Sequence, residues 1–149
     1  MPKSSSSFLF PDVNVWLALS YERHVHYAAA RAWFEGLEDD ARVIFCRFTQ
    51  LSLLRLLTTV AVMGEKDVLS QVGAWRVFDN WLEDDRIVFM DEPPNLEPRF
   101  RTLSYQQRST PKEWSDSYLC AFAETAGVRL VTFDRALSTK SGKVLILAS

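Results

Sequence analysis

The chain has 149 residues, 48% of them hydrophobic and 24% charged, with a formal net charge of −2. That is one domain's worth of an ordinary globular composition, not a disordered, fibrous or disulfide-stapled one. A sequence pI near 5.7 excludes a global basic field, so any nucleic-acid contact must rest on a local patch or on cations held between protein and phosphate.

Residues 1–7, with Lys3 and Ser4 to Ser7, read as a flexible lead-in to a single domain. The first twenty residues mimic a signal peptide, but Asp12 and Asn14 interrupt the apolar stretch and no small-residue cleavage site follows. No segment reaches membrane-spanning length, so a cytoplasmic location is expected. Phe8 to Phe10 are apolar without alternation, as in a strand covered on both faces. Pro11 ends that run because it has no N–H for a sheet ladder. Val15, Trp16 and Leu19 then recur at helical spacing. Asp12 stands at the handover and has two readings. It caps the helix, or it lies at the carboxyl edge of an open parallel sheet, where ligands bind.

Tyr21 to His26 is polar and turn-like, and His24 and His26 lack the company of a metal site. A helix follows with Ala28, Ala29, Ala32, Trp33 and Leu37 on one face, stopping in the acidic run Glu38-Asp39-Asp40. Val43 to Cys46 reads as a second strand and Thr49 to Leu57 as a leucine-rich helix, with Arg47 and Arg55 on either side of that strand-to-helix edge. Beyond a break at Gly64, the spacing of Val68, Val72, Trp75, Phe78 and Leu82 predicts a helix from Asp67 to Trp81. Ile87 to Met90 is a third strand, closed by the proline-containing loop Asp91 to Asn95. Leu96 to Gln107 carries a weaker helical pattern with Arg99, Arg101 and, just beyond, Arg108 and Lys112. Trp114 to Ala123 is a helix with Asp116 in its first turns, ended by Gly127. Arg129 to Asp134 is a fourth strand ending in an acid, and Val144 to Leu147 a fifth. Cys46 and Cys120 each sit in apolar runs and are expected as buried free thiols. No CxxC or Cys/His cluster suggests structural zinc.

Strands of uninterrupted apolar residues alternating with helices predict a parallel sheet covered on both faces, in the α/β class. Right-handed crossovers then bring the carboxyl ends of the strands to one edge. Three acids stand near that edge: Asp12, Asp116 and Asp134. Each alone has a structural explanation as a cap or helix-start charge. Together in one cleft they repel one another, and holding them ionised calls for a counter-charge. Mg²⁺ or Mn²⁺ is the natural choice among hard, oxygen-liganded cations, and such a site activates water and stabilises phosphoryl displacement.

Pro11-Asp12-Val13-Asn14-Val15-Trp16-Leu17-Ala18 resembles the opening motif of the PIN-domain nucleases. Ser115-Asp116-Ser117-Tyr118-Leu119-Cys120-Ala121-Phe122-Ala123, followed by Val128 to Arg135, resembles their closing pattern, which is the more specific half. The resemblance runs roughly from Phe8 to Leu147 and is strongest to the VapC-type toxins of bacterial toxin–antitoxin pairs. It implies a three-layer α/β/α sandwich with a mainly parallel sheet of four to five strands. It also implies a Mg²⁺-dependent endoribonuclease, a homodimer, and inhibition by a small antitoxin that inserts a segment into the active-site groove. Asp12, Asp116 and Asp134 match the family's catalytic and metal-binding acids. One departure stands out: where the family usually has a Glu after the second strand, this chain has Gln50 or, in the preferred register, Ser52, three residues before Arg55. That leaves one metal or two undecided.

Arg47, Arg55, Arg99, Arg101, Arg108, Lys112 and Arg135 are candidates for RNA phosphates, Arg135 first among them, or else serve surface solubility; Trp114 and Tyr118 are candidates for stacking on a base, or else fill the core or a dimer interface. Rival readings are a PIN nuclease of RNA processing and a non-catalytic RNA- or protein-binding domain of the same fold. A phosphoacceptor receiver domain, with Asp91 as acceptor, lacks the early acidic pair it would need.

Overall fold

The computed structural model describes residues 7–148. Most of the expected lead-in lies outside the described residues. Ser7 lies just ahead of the first strand, its carbonyl accepting from the Arg42 N–H at 2.9 Å.

Five strands form one parallel sheet in the order β3-β2-β1-β4-β5. They are β1 (Phe8–Pro11), β2 (Arg42–Phe45), β3 (Ile87–Phe89), β4 (Arg129–Thr132) and β5 (Val144–Ile146). The helices between them are α1 (Val13–Ser20), α2 (Tyr27–Glu35), α3 (Arg47–Leu57), α4 (Val60–Met63), α5 (Gln71–Leu82), α6 (Leu96–Ser104) and α7 (Glu113–Ala126), with a 3₁₀ turn at Arg135–Thr139.

Alternate residues of the strands face opposite layers, as the pleat demands. Val43, Phe45 and Ile87 pack against α1, α2, α3 and α5. Phe10, Ile44 and Leu130 pack against α6 and α7. The result is the expected three-layer α/β/α sandwich. Aromatic stacking centres both layers: Trp16 lies on Phe45 at 3.7 Å between ring centroids, and Phe10 on Phe122 at 4.6 Å. All four rings are fully buried. Truncating one such ring to alanine typically costs about 3–5 kcal/mol.

Several element boundaries differ from the sequence pattern. The helix expected from Asp67 begins only at Gln71. Ser70 is its cap, with Oγ accepting from the Gly73 N–H at 3.0 Å. Asp67 is held outside by Tyr21, whose hydroxyl donates to its carboxylate at 2.8 Å. The buried face of α5 is also rotated: Ala74 and Phe78 are buried, while Val72, Trp75 and Leu82 are 59%, 48% and 41% exposed. In α2 the buried residues are Ala30 and Phe34, not Ala28 and Ala32. Alanine fits either side of a helix, so the large Phe34 sets the rotation, with the Arg86 guanidinium over its ring at 4.3 Å. Cys46 leaves the second strand to become the N-cap of α3, its N–H held by Thr49 Oγ1 at 3.0 Å. The weak pattern to Gln107 ends as helix at Ser104. Gly127 closes α7 as expected, at φ 72°, the left-handed conformation that favours glycine. Cys46 and Cys120 are buried and unpaired. Among the described residues no helix is long and apolar enough to cross a membrane.

Candidate active site

The strand order reverses direction between β1 and β4. Such a switch point opens a crevice outside the carboxyl ends of the two strands, and Asp12 and Asp134 stand there. Asp12 directly follows β1, and its N–H donates to the Val131 carbonyl at 2.8 Å, continuing the ladder. It also caps α1, with Oδ1 accepting from the Asn14 N–H at 3.4 Å. Asp12 thus caps α1 and also lies at the carboxyl edge of the sheet, where it lines a cleft.

Thr132, fully buried at the end of β4, ties the two acids together. Its hydroxyl donates to Asp12 Oδ2 at 2.8 Å and accepts from the Asp134 N–H at 3.0 Å. The fourth strand consequently ends at Thr132, two residues before the acid. Asp134 then caps the 3₁₀ turn, Oδ1 accepting from the Ala136 N–H at 2.9 Å. Asp116 arrives from the first turn of α7, and its carboxylate is without a hydrogen-bond or ion-pair partner among the described residues.

Asp12, Asp116 and Asp134 line one cleft of about 280 Å³, together with Asn14, Ser52, Arg55, Lys112 and Ser115. Burial is the largest effect on Asp12 and raises its carboxyl above the ordinary range against the hydrogen bond from Thr132; the charge of Asp134 adds to the rise. Asp116 is raised as well, by burial first and then by the charges of Asp12 and Asp134, with Lys112 and Lys140 pulling the other way. Three acids thus feel one another across the cleft, the signature of a site short of positive charge. No three His, Cys, Asp or Glu side chains among the described residues are drawn together closely enough to be a ready-made cage for an ion. The donor set still suits Mg²⁺, which binds through one or two carboxylates and keeps several waters. It does not suit the softer metals that favour thiolate. Cysteine chemistry is excluded by burial, which pushes the Cys120 thiol up to about 12 and raises Cys46 too.

Of the two candidates for the absent acid, Ser52 lines the cleft, whereas Gln50 is buried and accepts from the Arg47 guanidinium. The basic candidates separate. Arg55 reaches the cleft, and Lys112 lies along both it and a wider trough of about 950 Å³ that shares Asp116 and Asp134. Arg47 lies over the Phe89 ring at 4.9 Å, and neither it nor Arg135 lines those two cavities. Arg99 and Arg101 are paired with Glu124 and Glu97 at 2.6 and 2.7 Å. Two participants escaped the sequence reading. Thr132 is the one polar side chain in the Leu130-Val131-Thr132 run, which could have marked it. Lys140, bonded to Glu113 at 2.8 Å, reaches the trough only through the 3₁₀ turn and left no local signal.

A cleft lined by three carboxylates at a switch point is compatible with more than one chemistry, and comparison with known proteins narrows it. The family model described as PIN domain matches residues 9–143. The chain belongs to the PIN domain family. A relative, Ribonuclease VapC41 of Mycobacterium tuberculosis, is 44% identical over 90% of this chain and 94% of its own length. Ribonuclease VapC38 of the same organism is 29% identical over 86% of each. Within the family the chain is therefore of the VapC type. The fold agrees with the crystal structure of VapC20 from Mycobacterium tuberculosis, a sarcin–ricin loop cleaving toxin, at TM-score 0.66 and 14% identity over 94% of this chain and 99% of that one. It also agrees with VapBC2 from Rickettsia felis, bound to a DNA fragment from its promoter, at TM-score 0.69 and 9% identity over 95% and 99%.

Proposed function

We propose that this protein is a Mg²⁺-dependent endoribonuclease, the toxin of a VapBC-type pair, which hydrolyses RNA phosphodiester bonds. The observation that carries the reading is the meeting of Asp12, Asp116 and Asp134 in one cleft of a chain 44% identical to a named ribonuclease. These three acids are the proposed catalytic and metal-binding residues, with Mn²⁺ an alternative ion. When bound, the cation supplies Lewis-acid polarisation of the phosphodiester and a source of hydroxide at neutral pH. Asp12 is oriented for this role by Thr132 and the α1 cap, Asp134 by its own turn, and Asp116 by its place in the first turn of α7. Arg55 and Lys112, at the cleft, take backbone phosphates, which position the RNA without reading its sequence.

The proposed partners are RNA, a small cognate antitoxin and a second copy of the chain, in a cytoplasmic setting. Structures of VapBC2 and FitAB complexes among the fold neighbours support an antitoxin. So does a groove of about 360 Å³ between α3 and α5, lined by Leu51, Leu54, Ala74 and Trp75. Leu51 and Trp75 are 61% and 48% exposed there, an apolar surface of the kind that marks protein contacts.

The test is cleavage of a mixed cellular RNA pool by purified, antitoxin-free protein. Cutting in Mg²⁺ that stops with EDTA and with Asp116→Asn supports the reading. Folded protein that binds RNA but cuts none of it in Mg²⁺ or Mn²⁺ would favour the non-catalytic reading, to which the neutral Ser52 lends support.

A further inference from the structure

The trough does not end at the acids. Its lining shares Thr110, Pro111 and Glu113 with a second cavity of about 420 Å³. These shared residues stand between Asp116 and Asp134, which line the trough, and Trp114, which lines the second cavity. The second cavity is in the size range of small-molecule sites. Trp114 borders it and is 59% exposed, meeting Phe100 edge-on at 6.1 Å. An indole so placed contributes little to the core and leaves much of its surface to a ligand. Tyr118, one turn further along α7, is by contrast occupied: it is half-buried, and its hydroxyl donates to Glu92 at 2.8 Å. The negative charge of Glu113 is met by Lys140, whereas Arg108 and Lys112 carry no ion pair among the described residues. Gln106 and Gln107 add amide donors and acceptors to the wall.

We propose that this cavity is a nucleobase subsite. It takes one unpaired nucleotide next to the scissile phosphate, stacks its base on the Trp114 indole and sets its backbone against Arg108 and Lys112. The inference rests on the ribonuclease reading and adds to it that the substrate is single-stranded at this position. Stacking suits the site because every base offers a π-face, and the amides then bias which edge is accepted.

The experiment is binding of a fluorescein-labelled, random-sequence single-stranded RNA pool, followed by anisotropy in EDTA so that no cutting intervenes. Trp114→Ala weakens binding about five- to a hundredfold, Trp114→Phe keeps most of it, and Val72→Ala, at an exposed position of α5 on the other layer, leaves it unchanged. In parallel, 4-thiouridine RNA crosslinks to the peptide that contains Trp114. Equal binding by Trp114→Ala and wild type, with crosslinks elsewhere, overturns the subsite even if wild-type protein cuts RNA normally. Absence of both binding and cutting by folded wild-type protein overturns the subsite together with its parent reading. Binding lost with Trp114→Ala in a protein that cuts nothing upholds the subsite alone.

Discussion

Thr132→Val is the most informative single change in this fold. The substitution keeps the volume and β-branching of a fully buried side chain and removes one hydroxyl. That hydroxyl donates to the Asp12 carboxylate at 2.8 Å and satisfies the Asp134 N–H at 3.0 Å. A hydrogen bond to a charged group contributes about 1.5–3 kcal/mol, and the N–H of exposed Asp134, which water can reach, adds less than the ~1–3 kcal/mol of a fully buried donor left unpaired. Allowing for relaxation and partial hydration, the expected loss is about 2–4 kcal/mol, or roughly 5–15 °C in Tm for a chain of this length.

The pH dependence separates the two parts of that loss. Asp12 is raised in the folded protein, with burial outweighing the Thr132 bond. A raised carboxyl leaves stability intact below its unfolded value, near 3.9, and erodes it as pH rises through the folded value. Removing the hydroxyl raises Asp12 further, so the erosion is larger in the variant. The deficit of Thr132→Val relative to wild type therefore grows from acid to neutral pH, while the part due to the Asp134 N–H stays constant. Thermal melts of metal-free protein from pH 4.5 to 8 measure both, and Thr132→Ser, which keeps the donor, recovers most of the stability. A deficit under about 1 kcal/mol that is flat across this range would refute the argument that Thr132 supports an ionised Asp12.

Asp12→Asn and Asp116→Asn each relieve carboxylate repulsion. Each is expected to match or exceed wild-type Tm at pH 8 without metal, to lose the Tm increase that Mg²⁺ gives wild type, and to abolish RNA cutting. Ser52→Glu adds a carboxylate to the cleft, so it lowers the metal-free Tm and tightens Mn²⁺ binding, as titration calorimetry would record. Trp16→Ala removes a fully buried ring stacked on Phe45 and costs about 3–5 kcal/mol in chemical denaturation. Gly127→Ala meets no atom within 4 Å but imposes a side chain at φ 72°, at a cost of about 1 kcal/mol.

The architecture was legible wherever a run of buried residues met a turn signal. Phe8 to Phe10, Val43 to Phe45 and Leu130 to Val131 lie inside the expected strands, because burial on both faces leaves a strand few polar positions to blur it. The ends were less legible: Pro11, expected to end the first run, is its last residue, paired with Val131, and Cys46, Phe133 and Asp134 lie beyond the strands they were expected to finish. Helix rotation was less legible. Val72, Trp75 and Leu82 keep a helical spacing yet are exposed, since a sequence pattern records an apolar stripe without saying what covers it. In α2 the run of alanines carries almost no orientation, and the one large ring, Phe34, decided the face. Asp12 and Asp134 stood out because each follows a strand closely, and Asp116 because it opens the helix that feeds the fourth strand. Thr132 was missed because a threonine in a strand is unremarkable until its partner comes from a segment 120 residues away.

The same atoms serve the fold and the site, and the two demands conflict. Asp12 caps a helix and Asp134 caps a turn, which are stabilising duties for a carboxylate. Bringing both to one crevice with Asp116 raises the cost of ionising Asp12 and Asp116. The fold absorbs that cost locally: Thr132 donates to one acid, Lys112 and Lys140 offset the charge felt by another, and Ser52 leaves the cleft one negative charge fewer than an acid there would. Selection for stability alone would have replaced Asp116, which makes no bond within the described residues. Its presence in the cleft, raised and without a partner among the described residues, fits the proposal of a ligand that brings positive charge. The neutral Ser52 reduces how much of that charge the site needs.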